Sequence, residues 1–327
     1  GQLFASLKDV TQAADLLGSV ARVPKNGSVG RLTQDTVRLD LTSSEIDPDY
    51  LYWTLLTPQY RSYCRSHATG TTNLGLPRDD FLGYEFPLPG LSEQRRIAAV
   101  LSSLDDLIER NRQTIAAFRT LAVASLDAAS GDGGEVVPFF VIATQVRDGV
   151  ARSGLGSGTP YLGLEHFGQD GEGIIGVGDA SSVSSNKTRF RSGDVLYGKL
   201  RPYFRKHDRP GFDGVCTTEV WVLRPNEGWG AATLSAVVSR PEFTEFAMAG
   251  SGGTKMPRAN WEHVSTMPVS VPAPSVRRIL DERLEVLWSA QGALTNEISD
   301  LSRTRDELLP LLMSGAIRVN EALEVSA

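Results

Sequence analysis

The chain has 327 residues, of which 41% are hydrophobic and 22% are charged, and its formal net charge is −6. This composition is typical of a folded protein with room for two cores, and it excludes an intrinsically disordered chain. No apolar run approaches the length of a membrane span and no signal-peptide pattern is visible, which predicts a cytoplasmic protein without membrane contact. Cys64 and Cys216 lie far apart in the sequence and predict no disulfide framework.

Two pairs of matching segments predict an internal duplication. A strand-like segment at 1–8 resembles another at 193–200. Residues 70–78 carry a Gly-Thr pair followed by Leu-Pro-Arg, and residues 253–258 read Gly-Thr-Lys-Met-Pro-Arg, which aligns the two prolines 180 residues apart. Internal repeats indicate architecture more strongly than local signals, so we expect two similar units. Residues 134–192 have no counterpart before the first strand, which predicts that the first unit is incomplete.

Each predicted unit mixes strands with helices, which favours an α+β fold. Strand-like runs at 134–142, 194–200 and 214–223 are punctuated by Gly, Pro, Asn and Asp. Helical patterns occur at 48–64 and 229–249, ahead of the Gly-Thr loop in both copies.

A heptad pattern follows each unit and predicts one long helix per copy. The first runs from Ser92 to about Ser125 and the second from Ser275 to Gly315, each about 50 Å long at 1.5 Å per residue. Two seams of similar length can bury each other, and antiparallel pairing is simpler because the chain returns through a whole unit between them. Helices that pack only on their own units are the alternative. The predicted seam comprises Ile97, Leu101, Leu104, Ile108, Asn111, Ile115, Phe118, Leu280, Leu284, Leu287, Gln291, Leu294, Ile298, Leu301 and Leu308.

The sequence contains no catalytic or metal-binding pattern. The four histidines show neither an HExxH pairing nor a Cys/His cluster with metal spacing. A P-loop, a dinucleotide fingerprint and the Asn/Asp-Pro-Pro-aromatic motif of amino-methyltransferases are also absent. We therefore expect a protein that is not an enzyme and holds no metal or cofactor.

Two loops of the second unit are candidates for contact with DNA. Residues 199–207 alternate basic and aromatic side chains, which can reach phosphates and base edges, although a solvated basic turn has the same composition. Residues 250–255 combine backbone N–H groups with a lysine, as phosphate sites do, and a related loop occurs at 69–73; a helix cap with a turn is the alternative. The candidate residues are Lys187, Arg189, Lys199, Arg201, Tyr203, Arg205, Lys206, Thr254, Lys255, Arg258, Lys8, Thr72, Asn73 and Arg78.

Three motifs together resemble the specificity subunit of Type I restriction-modification systems. They are Ser92-Glu93-Gln94-Arg95-Arg96-Ile97 after a Pro-rich stretch, the Leu-x-x-Leu-Asp-Asp-Leu-Ile pattern of 101–108, and the C-terminal stretch 308–319. The resemblance covers the whole chain. The second copy departs from it, because Ser275-Val276 stands where the first copy has Glu-Gln.

This resemblance implies two α/β target recognition domains, the first incomplete, separated by two long helices that form an antiparallel coiled coil. The implied boundaries are 1–91 for the first recognition domain, 92–130 for the first spacer helix, 131–274 for the second recognition domain and 275–327 for the second spacer helix and tail. It also implies a non-catalytic reader of a bipartite site in double-stranded DNA, which positions two methyltransferase subunits and the restriction and motor subunits in phage defence. S-adenosylmethionine and ATP would then bind only to those partners.

A coiled-coil scaffold that binds proteins instead of DNA is the alternative function, and the acidic net charge favours it weakly. It predicts that Lys199, Arg201 and Lys206 can be neutralised without loss of function. A DNA reader would lose affinity and salt dependence on the same change.

Overall fold

A computed structural model describes residues 1–11, 13–23, 30–131, 134–253 and 255–319. The chain divides into two compact units: unit 1 comprises residues 1–110 and 297–327, and unit 2 comprises residues 111–296. Two long helices each contribute residues to both units. Unit 1 is therefore assembled from segments that are distant in sequence.

Unit 1 contains a small antiparallel sheet covered by helices. Its elements in chain order are β1 (Leu3–Ser6), β2 (Lys8–Asp9), β3 (Val20–Arg22), β4 (Thr36–Leu39), α1 (Pro48–Thr54), α2 (Pro58–Ser66), β5 (Leu74–Gly75), α3 (Arg78–Leu82) and the first long helix, α4 (Leu91–Gly131). β1 lies between β3 and β4. Its alternate residues Leu3 and Ala5 are buried, as the two-residue period of a strand requires.

Unit 2 contains two larger sheets, with strand orders β10-β9-β14-β11-β8 and β13-β12-β15-β7. Its elements are β6 (Glu135–Pro138), α5 (Phe139–Ile142), β7 (Ala143–Val146), β8 (Gly149–Val150), β9 (Pro160–Leu162), β10 (Gly178–Asp179), β11 (Lys187–Phe190), β12 (Val195–Gly198), β13 (His207–Asp208), β14 (Gly214–Cys216), β15 (Val220–Pro225), α6 (Ala231–Ser239), α7 (Pro241–Ala249), α8 (Trp261–Val264), β16 (Pro268–Val271) and the second long helix, α9 (Pro274–Met313). In the described residues of unit 1, the five-stranded sheet has no counterpart.

The two predicted long helices are confirmed, and they run antiparallel within each unit. In unit 1 the Arg305 guanidinium donates to the Asp105 carboxylate at 2.6 Å, while Leu101 shares a buried cluster with Leu309. In unit 2 Arg119 donates to the Gln291 side-chain oxygen at 3.2 Å. At about 1.5 Å per residue, α4 and α9 are each about 60 Å long, which exceeds the predicted 50 Å.

Each predicted seam position is buried or half-buried. The apolar positions of the first helix that are almost fully buried are Ile97, Leu101, Ile108 and Ile115, and those of the second are Leu280 and Leu284. Polar Asn111 and Gln291 are half-buried, as are the remaining seam residues. The helices also close the cores of their units, because Leu101 packs in one cluster with Tyr50 and Trp53, and Leu284 in another with Phe139.

The duplication is visible in the order of strands and helices. β12 lies between β13 and β15 as β1 lies between β3 and β4. Both predicted helical segments are broken in two, at Pro58 and at Pro241, because proline cannot donate the hydrogen bond that would continue a helix. The predicted strand at 134–142 is also shorter than expected, since its second half forms α5.

The alignment of the two prolines 180 residues apart is wrong by three residues. The Leu76 N–H donates to the Leu7 carbonyl, and the corresponding bond in unit 2 joins the Ala259 N–H to the Lys199 carbonyl, which makes Leu76 equivalent to Ala259. The two Pro-Arg pairs occupy different structural positions, because Pro77 precedes α3 directly whereas Pro257 stands three residues before the cap of α8. Arg78 and Arg258 are therefore not equivalent.

Truncation of the buried seam should destabilise unit 1. We expect Leu101→Ala to lower the free energy of unfolding by about 2–5 kcal/mol, because it leaves a cavity in a cluster that contains Trp53. Leu107→Ala on the same helix is the matched control, since Leu107 is 41% exposed, and it should change stability by no more than about 0.5 kcal/mol. Urea unfolding followed by tryptophan fluorescence measures both, and equal effects would contradict burial of this seam.

A buried histidine in unit 2 makes its stability depend on pH. Burial lowers the pKa of His207 from 6.5 to about 4, and the nearby Arg119 guanidinium acts in the same direction. Between pH 4 and pH 6.5, His207 therefore carries a proton in the unfolded chain but not in the folded chain. The contribution of neutral His207 is complete above pH 6.5 and is lost as the pH falls towards 4.

Replacement of this histidine should remove that pH dependence. Between pH 6.5 and 4 the wild-type free energy of unfolding should fall by about 3 kcal/mol more than that of His207→Gln, at about 1.4 kcal/mol per pKa unit. Urea titrations of both proteins across this range test the expectation. Parallel pH profiles would show that His207 is not buried as a neutral imidazole.

Candidate nucleic-acid interface

Unit 2 contains a cleft of about 1010 Å³ between its two sheets and the loops that precede α8. The connection from β7 to β8, the start of β11 and the segment before β15 form one part of its lining. Residues 249–252 and 258–262 form the other. Four basic side chains line it, namely Arg147, Lys187, Lys199 and Arg258, against one acidic side chain, Glu262. Such a surface favours an anionic ligand.

The two candidate loops of unit 2 lie side by side. The Arg201 N–H donates to the Pro257 carbonyl at 2.7 Å, and the Ala259 N–H donates to the Lys199 carbonyl at 2.9 Å. Gly252 and Arg258 exchange two further backbone hydrogen bonds. Backbone pairing therefore joins the basic loop to the Gly-rich loop at the edge of the cleft, although they are about 50 residues apart in sequence.

A tight turn presents an aromatic side chain beside this junction. Arg201 and Arg205 flank a short 3₁₀ turn and have φ values of 50° and 51°, a conformation that costs a non-glycine residue about 1–3 kcal/mol. Backbone bonds from Asp170 and Gly171 to the carbonyls of residues 204 and 205 hold the turn. Tyr203 at its tip is 45% exposed, and its ring contacts Phe204 with centroids 4.6 Å apart.

Several predicted DNA-binding residues of unit 2 are available for a ligand. Arg189, Tyr203 and Lys255 are exposed, and Lys199 and Arg201 are half-buried. None of the five side chains makes a hydrogen bond or an ion pair with another described residue, so their donors are free in that part of the chain. Thr254 lies outside the described residues.

The other predicted residues of unit 2 already have partners. Lys187 is only 4% exposed, and its ammonium donates to the Ser185 carbonyl at 2.9 Å and hydroxyl at 2.8 Å, while burial lowers its pKa. The Lys206 ammonium donates to a backbone carbonyl at 2.7 Å, and Arg205 does so at 3.0 Å. Arg258 is exposed but pairs with Glu219 at 3.1 Å. These contacts stabilise the fold around the cleft.

The predicted residues of unit 1 are exposed, and none of them lines this cleft. Lys8 pairs with Asp35 at 2.8 Å, while Thr72, Asn73 and Arg78 point away from the core. The repeated glycine has a folding role in both units: Gly70 and Gly253 have φ values of 96° and 89°. A Cβ on Gly70 would lie 2.3 Å from the Asn73 carbonyl oxygen, so only glycine fits this turn.

The cleft also contains polar residues that the sequence analysis missed. Arg147 donates through Nε and Nη2 to the Gln145 side-chain oxygen at 3.3 and 3.2 Å. Asn260 caps α8 by accepting from the Glu262 N–H at 2.8 Å. No local signal marks these residues, because a single Arg or Gln forms no motif. Only the pairing of distant strands brings them to one cleft.

Across the ranges that the structure covers, no group of three His, Cys, Asp or Glu side chains could hold a metal ion. In the same ranges, no helix is both long and apolar enough to cross a bilayer.

Comparison with known proteins supports the resemblance stated above. Residues 30–117 match the family model described as Type I restriction modification DNA specificity domain. The Type I restriction enzyme EcoDI specificity subunit of Escherichia coli is 24% identical over 136 residues, which are 42% of this chain and 30% of that protein. The MjaVIII specificity subunit of Methanocaldococcus jannaschii is 35% identical over 85 residues, 25% of this chain and 19% of that protein. The chain thus matches less than a third of the length of either relative.

The fold has a counterpart among solved structures. The S subunit of a Type I restriction-modification system from M. genitalium matches 95% of this chain and 82% of its own, with a TM-score of 0.56 and 17% identity. At this identity the match concerns the fold, and it agrees with the paired long helices. In sequence and in fold, this chain is therefore similar to the specificity subunits of Type I restriction-modification systems.

Proposed function

We propose that this chain is a non-catalytic subunit that recognises a DNA sequence within a Type I restriction-modification complex. The observation that carries the proposal is the cleft of unit 2, which four basic residues and one acidic residue line at the junction of two loops. One of the four, Arg258, is paired with Glu219, and the lining still has a positive excess. This local charge is opposite in sign to the net charge of the chain. Local charge decides the encounter with a phosphate backbone, because charges more than about 10 Å apart are screened by salt.

The free side chains suit contact with phosphates. Lys199 and Lys255 are flexible ammonium groups without partners among the described residues, and such groups neutralise phosphates without demanding one geometry. Tyr203 adds an exposed ring, which can pack on a sugar or a base. Three further cations already donate hydrogen bonds to backbone carbonyls, namely Lys187, Lys206 and Arg205. They would not contact a phosphate directly but would contribute positive electrostatic potential from within the fold.

The partner subunits are part of the same proposal. Two methyltransferase subunits would bind the chain and supply S-adenosylmethionine, and restriction and motor subunits would supply ATP hydrolysis. The similarity to specificity subunits supports this assignment. The chain itself would bind no cofactor, and unit 1 would read the second half of a bipartite site.

Neutralising two lysines should weaken binding to every DNA sequence. We expect Lys199→Gln with Lys255→Gln to make the slope of log affinity against log salt shallower by about 2, since each phosphate contact contributes about 0.9. Fluorescence anisotropy of the full chain with a labelled duplex of random sequence, between about 50 and about 200 mM KCl, measures the slope.

A matched control removes the same charge elsewhere. Arg278 and Arg303 are 76% and 67% exposed on α9 and pair with acidic residues of that helix. Arg278→Gln with Arg303→Gln should leave the slope unchanged. If both double variants bind like the wild type, the cleft is not a DNA site and the protein-binding scaffold becomes the better function.

Assembly with a methyltransferase should be measurable independently of DNA. We expect the tagged full chain, co-expressed with a Type I methyltransferase subunit of the same genome, to elute from size exclusion as a complex with two methyltransferase copies. Light scattering gives the stoichiometry. A chain that elutes alone but binds DNA would contradict the proposed assembly and leave the proposed DNA contact intact.

A further inference from the structure

We infer that Gln145 and Arg147 form the element of unit 2 that reads a base, with guanine as the preferred base. This inference rests on the proposed function, and it assigns sequence discrimination to residues outside the two candidate loops. Arg147 follows β7 and Gln145 lies on it, and both side chains line the cleft.

The geometry of the pair leaves one edge of the guanidinium free. Arg147 uses Nε and Nη2 to donate to the Gln145 oxygen, at 3.3 and 3.2 Å. The opposite edge, formed by Nη1 and the second N–H of Nη2, makes no hydrogen bond to a described residue. This edge presents two parallel donors, which match O6 and N7 of guanine in the major groove.

Other planar polar groups in the cleft are committed elsewhere. The Asn186 oxygen accepts from the Arg152 N–H, and the Asn260 oxygen caps α8. The Arg258 guanidinium is paired with the Glu219 carboxylate, which offsets its charge. Arg147 is instead oriented by the neutral side-chain amide of Gln145, which does not offset the positive charge of the guanidinium.

The backbone around the pair is fixed on both sides. Gln145 is in register with Leu223 of β15, which anchors β7 in the four-stranded sheet. The Asp148 carbonyl accepts from the Arg189 N–H at 2.8 Å, and β8 pairs with β11 in the five-stranded sheet. A reader in a short connection between strands of two sheets is held more precisely than one on a free loop.

The alternative roles of Arg147 make different predictions. A phosphate contact needs only charge, so lysine would replace arginine with little loss. A base contact needs the paired donors, so lysine would retain affinity for DNA but lose discrimination. Gln145→Leu retains the size of the side chain and removes the oxygen that orients Arg147, and it should reduce discrimination in the same direction.

Selection from a randomised duplex pool, followed by sequencing, tests the inference with the full chain. We expect the wild type to enrich a motif that contains guanine at one position, and Arg147→Lys to lower the preference at that position alone by about tenfold, equivalent to about 1.4 kcal/mol. The salt dependence of Arg147→Lys should equal that of the wild type. Lys199→Gln is the control that lowers affinity without changing the motif.

The outcomes separate the inference from the function beneath it. An unchanged motif in Arg147→Lys and Gln145→Leu, with a clear wild-type motif, would overturn the inference and leave the DNA reader in place. A wild type that binds DNA but enriches no motif would overturn both. Because the Arg147 side chain is exposed, unchanged thermal melting of the variants is expected to show that neither result comes from unfolding.

Discussion

Burial of the two long helices against the cores of the units is the interaction on which the rest of the structure depends. Leu101 and Leu309 share one cluster with Trp53, and Leu126 and Leu284 share another with Phe139. The long helices are therefore part of the hydrophobic cores of both units. Polar pairs such as Asp105 with Arg305 add direction to an otherwise apolar contact, because a shift of register would separate the charges.

The functional surface depends in turn on backbone pairing between segments that the sequence keeps apart. The bonds that join residues 199–201 to 252–259 use no side chain, so the basic side chains on these loops are free to vary while the cleft keeps its shape. The strained turn at Arg201 and Arg205 is held in the same way, by neighbouring backbone. A scaffold of this kind suits a protein whose ligand contacts change while its fold is retained.

The sequence predicted the features that have a regular period or a repeated order. The seam positions from Ile97 to Leu308 follow from the heptad, and the two similar units follow from the recurring segments. It could not predict which basic residues are accessible: Lys187 and Arg189 lie on one strand, yet only Arg189 faces solvent. The three-residue error in aligning Pro77 with Pro257 has a similar cause, since hydrogen-bond register is set by contacts between distant segments. The position of Gln145 and Arg147 in the cleft could not be predicted for the same reason.

The division of the helices between the units has a consequence for synthesis on the ribosome. Residues 111–296 are contiguous, so the core of unit 2 can close as soon as that stretch has emerged. Unit 1 has one buried cluster built wholly from residues 1–110, but its second cluster also needs Leu309 and Leu312, which are translated about 200 residues after Leu101. Tyr50, Trp53 and Leu101, which belong to the second cluster, therefore stay partly uncovered while a later part of the chain is made and folds. Unit 1 can therefore be completed only after unit 2 has been translated, and chaperone demand should concentrate on the uncovered face of unit 1.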